Sequence, residues 1–228
     1  MRQISFTIGD YYHIYNRGTD KRTIFQDEHD YKRFLALLYL CNNSEAVDMR
    51  NYFREGSSFA NFVNLFKTEK ISTLVDIGAY CLMPNHFHIL IFEKQDAGIS
   101  TFMKKCATAY SMYFNRQYDR TGTLFEGSFK AKHVGNEPYF NWLFSYIHLN
   151  PVKIINPDWK ENGIVGLEKT KSFLSNYAYS SYFDYFGKDR LESVILNKDA
   201  FPEHFRQLND VDNLISEFNW HSTKEEPL

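Results

Sequence analysis

The sequence is short of the features that would place it in a membrane or an oxidising compartment. Its three cysteines, Cys41, Cys81 and Cys106, are widely spaced and odd in number, which argues against both a disulfide framework and a cysteine-based zinc cluster. No apolar run is long enough to cross a bilayer, and the opening MRQISFTIGDYYHIYNRG holds no stretch of the kind a signal peptide uses. A cytoplasmic protein with reduced, mostly buried thiols is expected. Internal repeats and low-complexity segments are also absent. An excess of positive charge is missing too: the formal net charge is -2, which argues against wholesale electrostatic binding of nucleic acid, so the distribution of charge matters more than its sum.

That distribution is uneven. Residues 1–155 carry 18 Lys+Arg against 15 Asp+Glu, a net of +3, whereas residues 156–228 carry 8 against 13, a net of -5. Within 101–135, Lys104, Lys105, Arg116, Arg120, Lys130 and Lys132 face only Asp119 and Glu126, a local +4 among several aromatics. Such a patch is either a solvated face or a nucleic-acid surface. The chain's 228 residues can bury a substantial core, and 18% aromatic content is rich. Residues 1–155 read as the main domain and 156–228 as a C-terminal extension, which should pack on that domain because it keeps Trp159, Phe173, many tyrosines and Trp220.

Local patterns predict an extended segment at Tyr11–Arg17 closed by Gly18, then a helix from about Asp27 to Leu40 with Phe34, Leu35, Leu37 and Leu38 in its apolar stripe. A helix is predicted in SSFANFVNLFKTEK. LVDIGAYCLM and HFHILIF read as two strands joined at Pro84-Asn85, a hairpin expected at the centre of a sheet. Helical spacing from about Ile99 to Tyr118 precedes TLFEGSFKAKHV, read as a strand with an irregularity at Gly127. A helix follows from about Glu137 to Leu149, and Pro151 is expected to end it near Asn150. Beyond it, helices are predicted near Lys171–Tyr177 and Val211–Trp220. This order fits an α+β class, an antiparallel sheet with helices packed on it.

Chemistry enters with His86 and His88, which on a strand point to one face because side chains alternate. They are half a metal site or two structural histidines. Tyr146 and Asn150, four residues apart, share a helical face, roughly 6 Å apart along the axis. An amide oxygen suits Mg²⁺ or Mn²⁺, and beside two imidazoles it leaves coordination positions open for phosphate and water. Composition alone does not select Tyr146. Tyr110, Tyr113 and Tyr139 are other nucleophiles in principle, and His148 is a rival ligand expected to point away from Tyr146.

YCLMPNHFHILI and YIHLNPVK, separated by a basic segment and FEGSFKAKHV, resemble the single-tyrosine HUH transposases, in particular the REP-associated tyrosine transposases. Weaker matches run from YYHIYNRG and IFQDEHDYKRFL to YSSYFDYFG. The resemblance implies a ferredoxin-like or RRM-like palm with the histidine pair on a central strand. It also implies a divalent metal, Mg²⁺ or Mn²⁺, held by His86, His88 and Asn150, and Tyr146 as the nucleophile that becomes joined to a 5′ phosphate. Single-stranded or hairpin DNA is then the expected substrate. Asn16, Arg17, Lys130 and Lys132 either hold the DNA backbone or are simply solvated. Ser128 stands where the resembled segment often has Arg, which puts a phosphate contact there in doubt. Related proteins can be dimers that share helices; the longer extension here favours a monomer. Two other readings stand beside the transposase: an idle single-stranded nucleic-acid-binding module, and a metal-dependent phosphodiesterase that uses water.

Overall fold

The computed structural model describes residues 5–45, 48, 52, 63–186, 189–207 and 211–221. Four strands, β1 (Tyr11–Arg17), β2 (Val75–Met83), β3 (His86–Glu93) and β4 (Lys130–His133), form an antiparallel sheet in the order β2-β3-β1-β4. The helices that build the framework are α1 (Glu28–Leu40), α2 (Gly98–Gln117) and α3 (Glu137–Leu149). With α1 between β1 and β2, and α2 between β3 and β4, this is the split βαβ arrangement of ferredoxin-like folds. The α+β class expected from the sequence is therefore the observed one.

Local chemistry fixes the helix starts. Asp27 caps α1, its carboxylate accepting from the amides of His29 at 2.9 Å and Asp30 at 3.1 Å. Asn136 caps α3 by accepting from the Tyr139 amide at 2.8 Å, with Pro138 in the first turn where its missing N–H is not needed. At α2 the cap comes from a distance: Glu93, at the end of β3, accepts from the Ile99 amide at 2.7 Å.

The sheet is covered on both faces. Against one lie α1 and α2, where Ile14, Phe87, Ile89 and Ile91 meet Phe34, Phe102 and Tyr110. Against the other lies α3, with Phe140, Leu143, Phe144 and Ile147 over Ala79, Cys81 and Leu90. Residues after 155 add Trp159, Phe201, Phe205 and Phe218 to this second core, alongside α4 (Leu167–Leu174) and α5 (Val211–His221).

Four sequence expectations need correction. Only β3 of the hairpin is central; β2 is an edge strand, yet all nine of its residues are buried because the extension seals it. Leu82 donates to the Tyr179 carbonyl and Ser181 to the Tyr80 carbonyl, each at 2.9 Å. The strand expected over TLFEGSFKAKHV is broken: it is regular only at Lys130–His133, while Phe125 makes an isolated bridge to Gly18 and Gly127, at φ +70°, interrupts the two. Pro151 does end α3 within one residue of Asn150, at Leu149, but it does not expel Asn150 from helical geometry: Asn150 keeps φ -53° and ψ -38°, and Pro151 sits in the first turn of a 3-10 helix, Asn150–Ile154. Finally, α4 begins at Leu167, earlier than the helix expected near Lys171 to Tyr177, and it ends before Tyr177, whose hydroxyl donates to the Leu82 carbonyl at 2.6 Å. The helix expected in SSFANFVNLFKTEK falls in part outside the described residues.

Candidate active site

The face beneath α3 carries the chemistry. Alternation along β3 turns His86, His88 and Leu90 toward it, while Phe87, Ile89 and Ile91 point into the core under α1 and α2. The same alternation in β1 brings His13 and Tyr15 to that face, paired across the sheet with Lys132 and Lys130. Trp142 and Tyr146 of α3 and Asn150, the residue that follows the helix, succeed one another at one-turn spacing, so all three look onto the same strip of sheet.

These elements converge on Tyr146. Its ring stands edge-on to His88, centroids 5.2 Å apart at 78°, and His88 is in turn edge-on to His86 at 5.1 Å. Trp142 stacks on the phenol at 4.9 Å and 8°. Tyr146 is 3% exposed. Burial pushes its pKa well above the ordinary phenol value, and the Asn150 amide opposes that rise by favouring the phenolate. Lys160 of the extension donates to the phenolic oxygen at 3.2 Å, its ammonium 4.5 Å from the ring centroid.

The donors fit a hard divalent cation. Burial holds His86 neutral, lowering its pKa to about 4, with the Asn150 amide pulling the other way and Lys153, Lys160 and Arg17 pushing it further down. His88 is pushed well below the ordinary imidazole value by burial, and then by His13, His86 and Lys160. Each Nδ1 is occupied: that of His86 meets the Asn85 side-chain oxygen at 2.6 Å, and that of His88 meets His13 Nε2 at 2.8 Å. The Asn85 oxygen leaves the Nε2 lone pair of His86 for a ligand, and that of His88 is left likewise when its Nδ1 is the donor to His13, the arrangement that outer partners impose on metal-binding histidines. Asn150 is 2% exposed and its Oδ1 has no hydrogen-bond partner. A buried orphan oxygen ordinarily costs about 1–3 kcal/mol, so it calls for an occupant. Among the described residues no group of three His, Cys, Asp or Glu side chains comes together as a metal site; the set here is two imidazoles and one amide.

The other residues singled out from sequence divide clearly. His148 faces away from this strip, its Nε2 2.8 Å from Ser181 Oγ and its ring packed on Phe144 and Tyr185. Tyr110 and Tyr113 lie across the sheet with their hydroxyls engaged by the Ile24 carbonyl and Asp30. Tyr139, on α3, sits under the Lys132 ammonium at 4.2 Å. Asn16 is 5% exposed and faces away from His88; its amide donates to the Gly127 carbonyl at 3.3 Å and accepts from the Arg17 amide at 2.9 Å. Arg17 is ion-paired with Glu126, and both are about half exposed. Lys130 is exposed and shares the active-site face, as Lys132 does. His13 and Lys160 were not picked out from sequence. The parity of His13 with Tyr11 and Tyr15 was a visible signal, whereas nothing in the sequence marks Lys160.

The sequence model of the family described as "Transposase IS200 like" matches residues 8–150. None of the curated proteins matches the chain. Among solved structures, that of a REP-associated tyrosine transposase bound to a REP hairpin is similar at 13% identity and a TM-score of 0.45, over 84% of this chain and 88% of that one.

Proposed function

We propose, from the premise that the chain belongs to the IS200-like transposase family, that it cleaves and rejoins single-stranded DNA through a covalent 5′-phosphotyrosine on Tyr146, with Mg²⁺ or Mn²⁺ held by His86, His88 and Asn150. One observation carries the reading: the Tyr146 ring stands edge-on to His88 at 5.2 Å and His88 edge-on to His86 at 5.1 Å, with the buried Oδ1 of Asn150 one helical turn on and without a hydrogen-bond partner, which brings the phenol and the three candidate ligands together. Tyr146 then attacks the phosphorus, the bond to the 3′ oxygen breaks, and the phosphotyrosine conserves the energy of the phosphodiester for transfer to another 3′ hydroxyl. A bound divalent cation would neutralise charge on the phosphoryl oxygens.

Trp142 stacks on the phenol and so restricts its rotation, presenting the oxygen in one direction. Lys130 and Lys132, on the same face, and Arg17 at its margin are the side chains proposed to meet the DNA backbone; Asn16 contributes to that surface by holding the Arg17 backbone. The catalytic part is taken as residues 1–155 with 156–228 as an extension, acting as a monomer in the cytoplasm on DNA able to form hairpins. The relative solved with a REP hairpin motivates that last choice.

The test is incubation of the protein and of Tyr146→Phe with labelled single-stranded hairpin DNA and Mn²⁺ or Mg²⁺, resolved on a denaturing protein gel. The expected result is a metal-dependent adduct in the parent that is missing from the variant. Cleavage without adduct, unchanged in the variant, would instead identify a water-using phosphodiesterase. Binding without cleavage across varied hairpins would identify an idle binding module.

A further inference from the structure

Lys160 lies in the one-turn helix Trp159–Asn162, beyond the family-matched residues 8–150, yet its ammonium reaches the phenolic oxygen at the heart of the site. The contact is not made by a wandering surface chain. Trp159 beside it is 1% exposed and packs on Phe218 of α5 at 4.6 Å; Phe218 in turn packs on Trp142 at 5.9 Å, and Trp142 stacks on Tyr146. The backbone leading into the turn is held as well, with Asn156 donating to the Val152 carbonyl at 2.8 Å and Trp159 to the Asn156 carbonyl at 3.3 Å. Aromatic packing thus fixes both the lysine's base and the ring it touches.

We propose that Lys160 is a catalytic residue of strand cleavage and transfer, its ammonium holding the Tyr146 oxygen and meeting the negative charge that this oxygen carries as its bond to phosphorus forms or breaks. The inference rests on the reading of Tyr146 as nucleophile. In the forward direction the phenol proton passes to solvent, the oxygen–phosphorus bond forms, the bond to the 3′ oxygen breaks, and that oxygen takes a proton from solvent. In the reverse direction a 3′ hydroxyl attacks the phosphotyrosine and the phenolate leaves, again beside the ammonium. Lys160 keeps its own protons throughout. Because Tyr146 is 3% exposed, the narrow contact with water that lets its proton leave cannot by itself solvate such a charge, and a fixed cation at hydrogen-bond distance is the preorganised substitute. His86, His88 and Asn150 are uncharged, whereas Lys160 brings a cation to within 3.2 Å of the reacting oxygen. It also places the extension inside the chemistry instead of merely beneath it.

The test compares the full-length parent with Lys160→Met, Lys160→Gln and Lys160→Arg in single-turnover reactions at saturating Mn²⁺ on a labelled hairpin oligonucleotide. DNA affinity is measured separately in EDTA, and thermal melting is followed in parallel. Lys160→Met and Lys160→Gln should slow adduct formation on the order of a hundredfold to a thousandfold, as loss of one charge-stabilising donor does. DNA affinity should stay within about twofold of the parent, and Lys160→Arg, which keeps the charge on a larger planar head, should recover part of the rate. An unchanged rate in a folded variant overturns the proposal, as does a slowing matched by an equal loss of DNA affinity, which would make Lys160 a DNA contact. If the parent itself forms no adduct while binding DNA, the nuclease reading fails first; if the parent forms it and the charge-removing variants do so equally fast, only the role of Lys160 fails.

Discussion

His13 Nε2 and His88 Nδ1 stand 2.8 Å apart across β1 and β3, a contact between a residue with no place in either sequence motif and one at the centre of the histidine pair. Both imidazoles are buried, and burial holds both neutral, His13 with a pKa lowered to about 3. One ring therefore donates and the other accepts, and the bond fixes both the orientation of His88 and the nitrogen it leaves free.

Replacing His13 with Phe should accordingly weaken divalent-metal binding without touching a ligand. Outer partners of ligating histidines are commonly worth about 10–100-fold in metal affinity. The Mn²⁺ concentration giving half-maximal adduct should rise by that order in His13→Phe, with the parental rate regained at saturating metal. An unchanged half-maximal concentration would mean that the strand alone orients His88.

The proposed function gives Asn150 two jobs, toward the cation and toward Tyr146, and its variants should separate them. Asn150→Ala removes the buried oxygen offered to the cation, so metal affinity should fall and the adduct yield at limiting Mn²⁺ should drop at least tenfold. Asn150→Asp restores an oxygen donor and adds negative charge beside a phenol that burial already keeps protonated. Metal binding should recover there while adduct formation at neutral pH stays below the parent, because a neighbouring anion disfavours the phenolate. Calorimetric titration of Mn²⁺ alongside adduct kinetics reads both; Asn150→Asp matching the parent in both would show that the amide has no influence on Tyr146.

The two motifs that carry the site were legible because each is local. Alternation puts His86 and His88 on one face, and helical spacing puts Tyr146 over Asn150; the helix starts expected at about Asp27 and Glu137 fall within a residue of the observed ones. That the two motifs meet came only from the resemblance, since neither period reaches across the chain. What stayed hidden depends on long-range packing. His13 acquires its meaning from the β1–β3 register, and Lys160 from aromatic anchors after residue 155. The same alternation that selects His13 turns Asn16 to the opposite face, so its burial was readable from parity once β1 was placed.

Gly78 is another position whose role emerges only in three dimensions. It lies in β2 where the pairing with β3 slips between Ile77 and Ala79, and a Cβ there would come within 2.4 Å of the Phe201 ring. Gly78→Ala should push Phe201 out of the second core and loosen the extension, costing about 1–3 kcal/mol as overpacking does. Chemical denaturation would show this as a lowered midpoint, and limited proteolysis as earlier cleavage in the extension. A midpoint equal to the parent's would mean that the ring moves aside freely.

Arg190 offers the sharpest test of how firmly the extension is held. Its guanidinium pairs with Asp184, whose side chain is 0% exposed against 13% for the arginine, and it also donates to the Tyr80 hydroxyl and the Ser180 carbonyl, each at 2.7 Å. The Tyr80 bond joins the extension to β2 on the edge that would otherwise be open, and the other two brace the extension itself. Arg190→Met would leave the Asp184 carboxylate buried without its cation, and removing one partner of a buried pair costs about 3–5 kcal/mol. For a chain of this length each kcal/mol moves the melting temperature by about 2–4 °C, so a fall of roughly 6–20 °C is expected by calorimetry. The double variant Arg190→Met with Asp184→Leu removes the stranded charge and should regain a large part of that loss, because an apolar pair of similar volume needs no counter-ion. If the double variant melts no higher than the single one, the arginine stabilises the extension through Tyr80 and Ser180 and not through the ion pair.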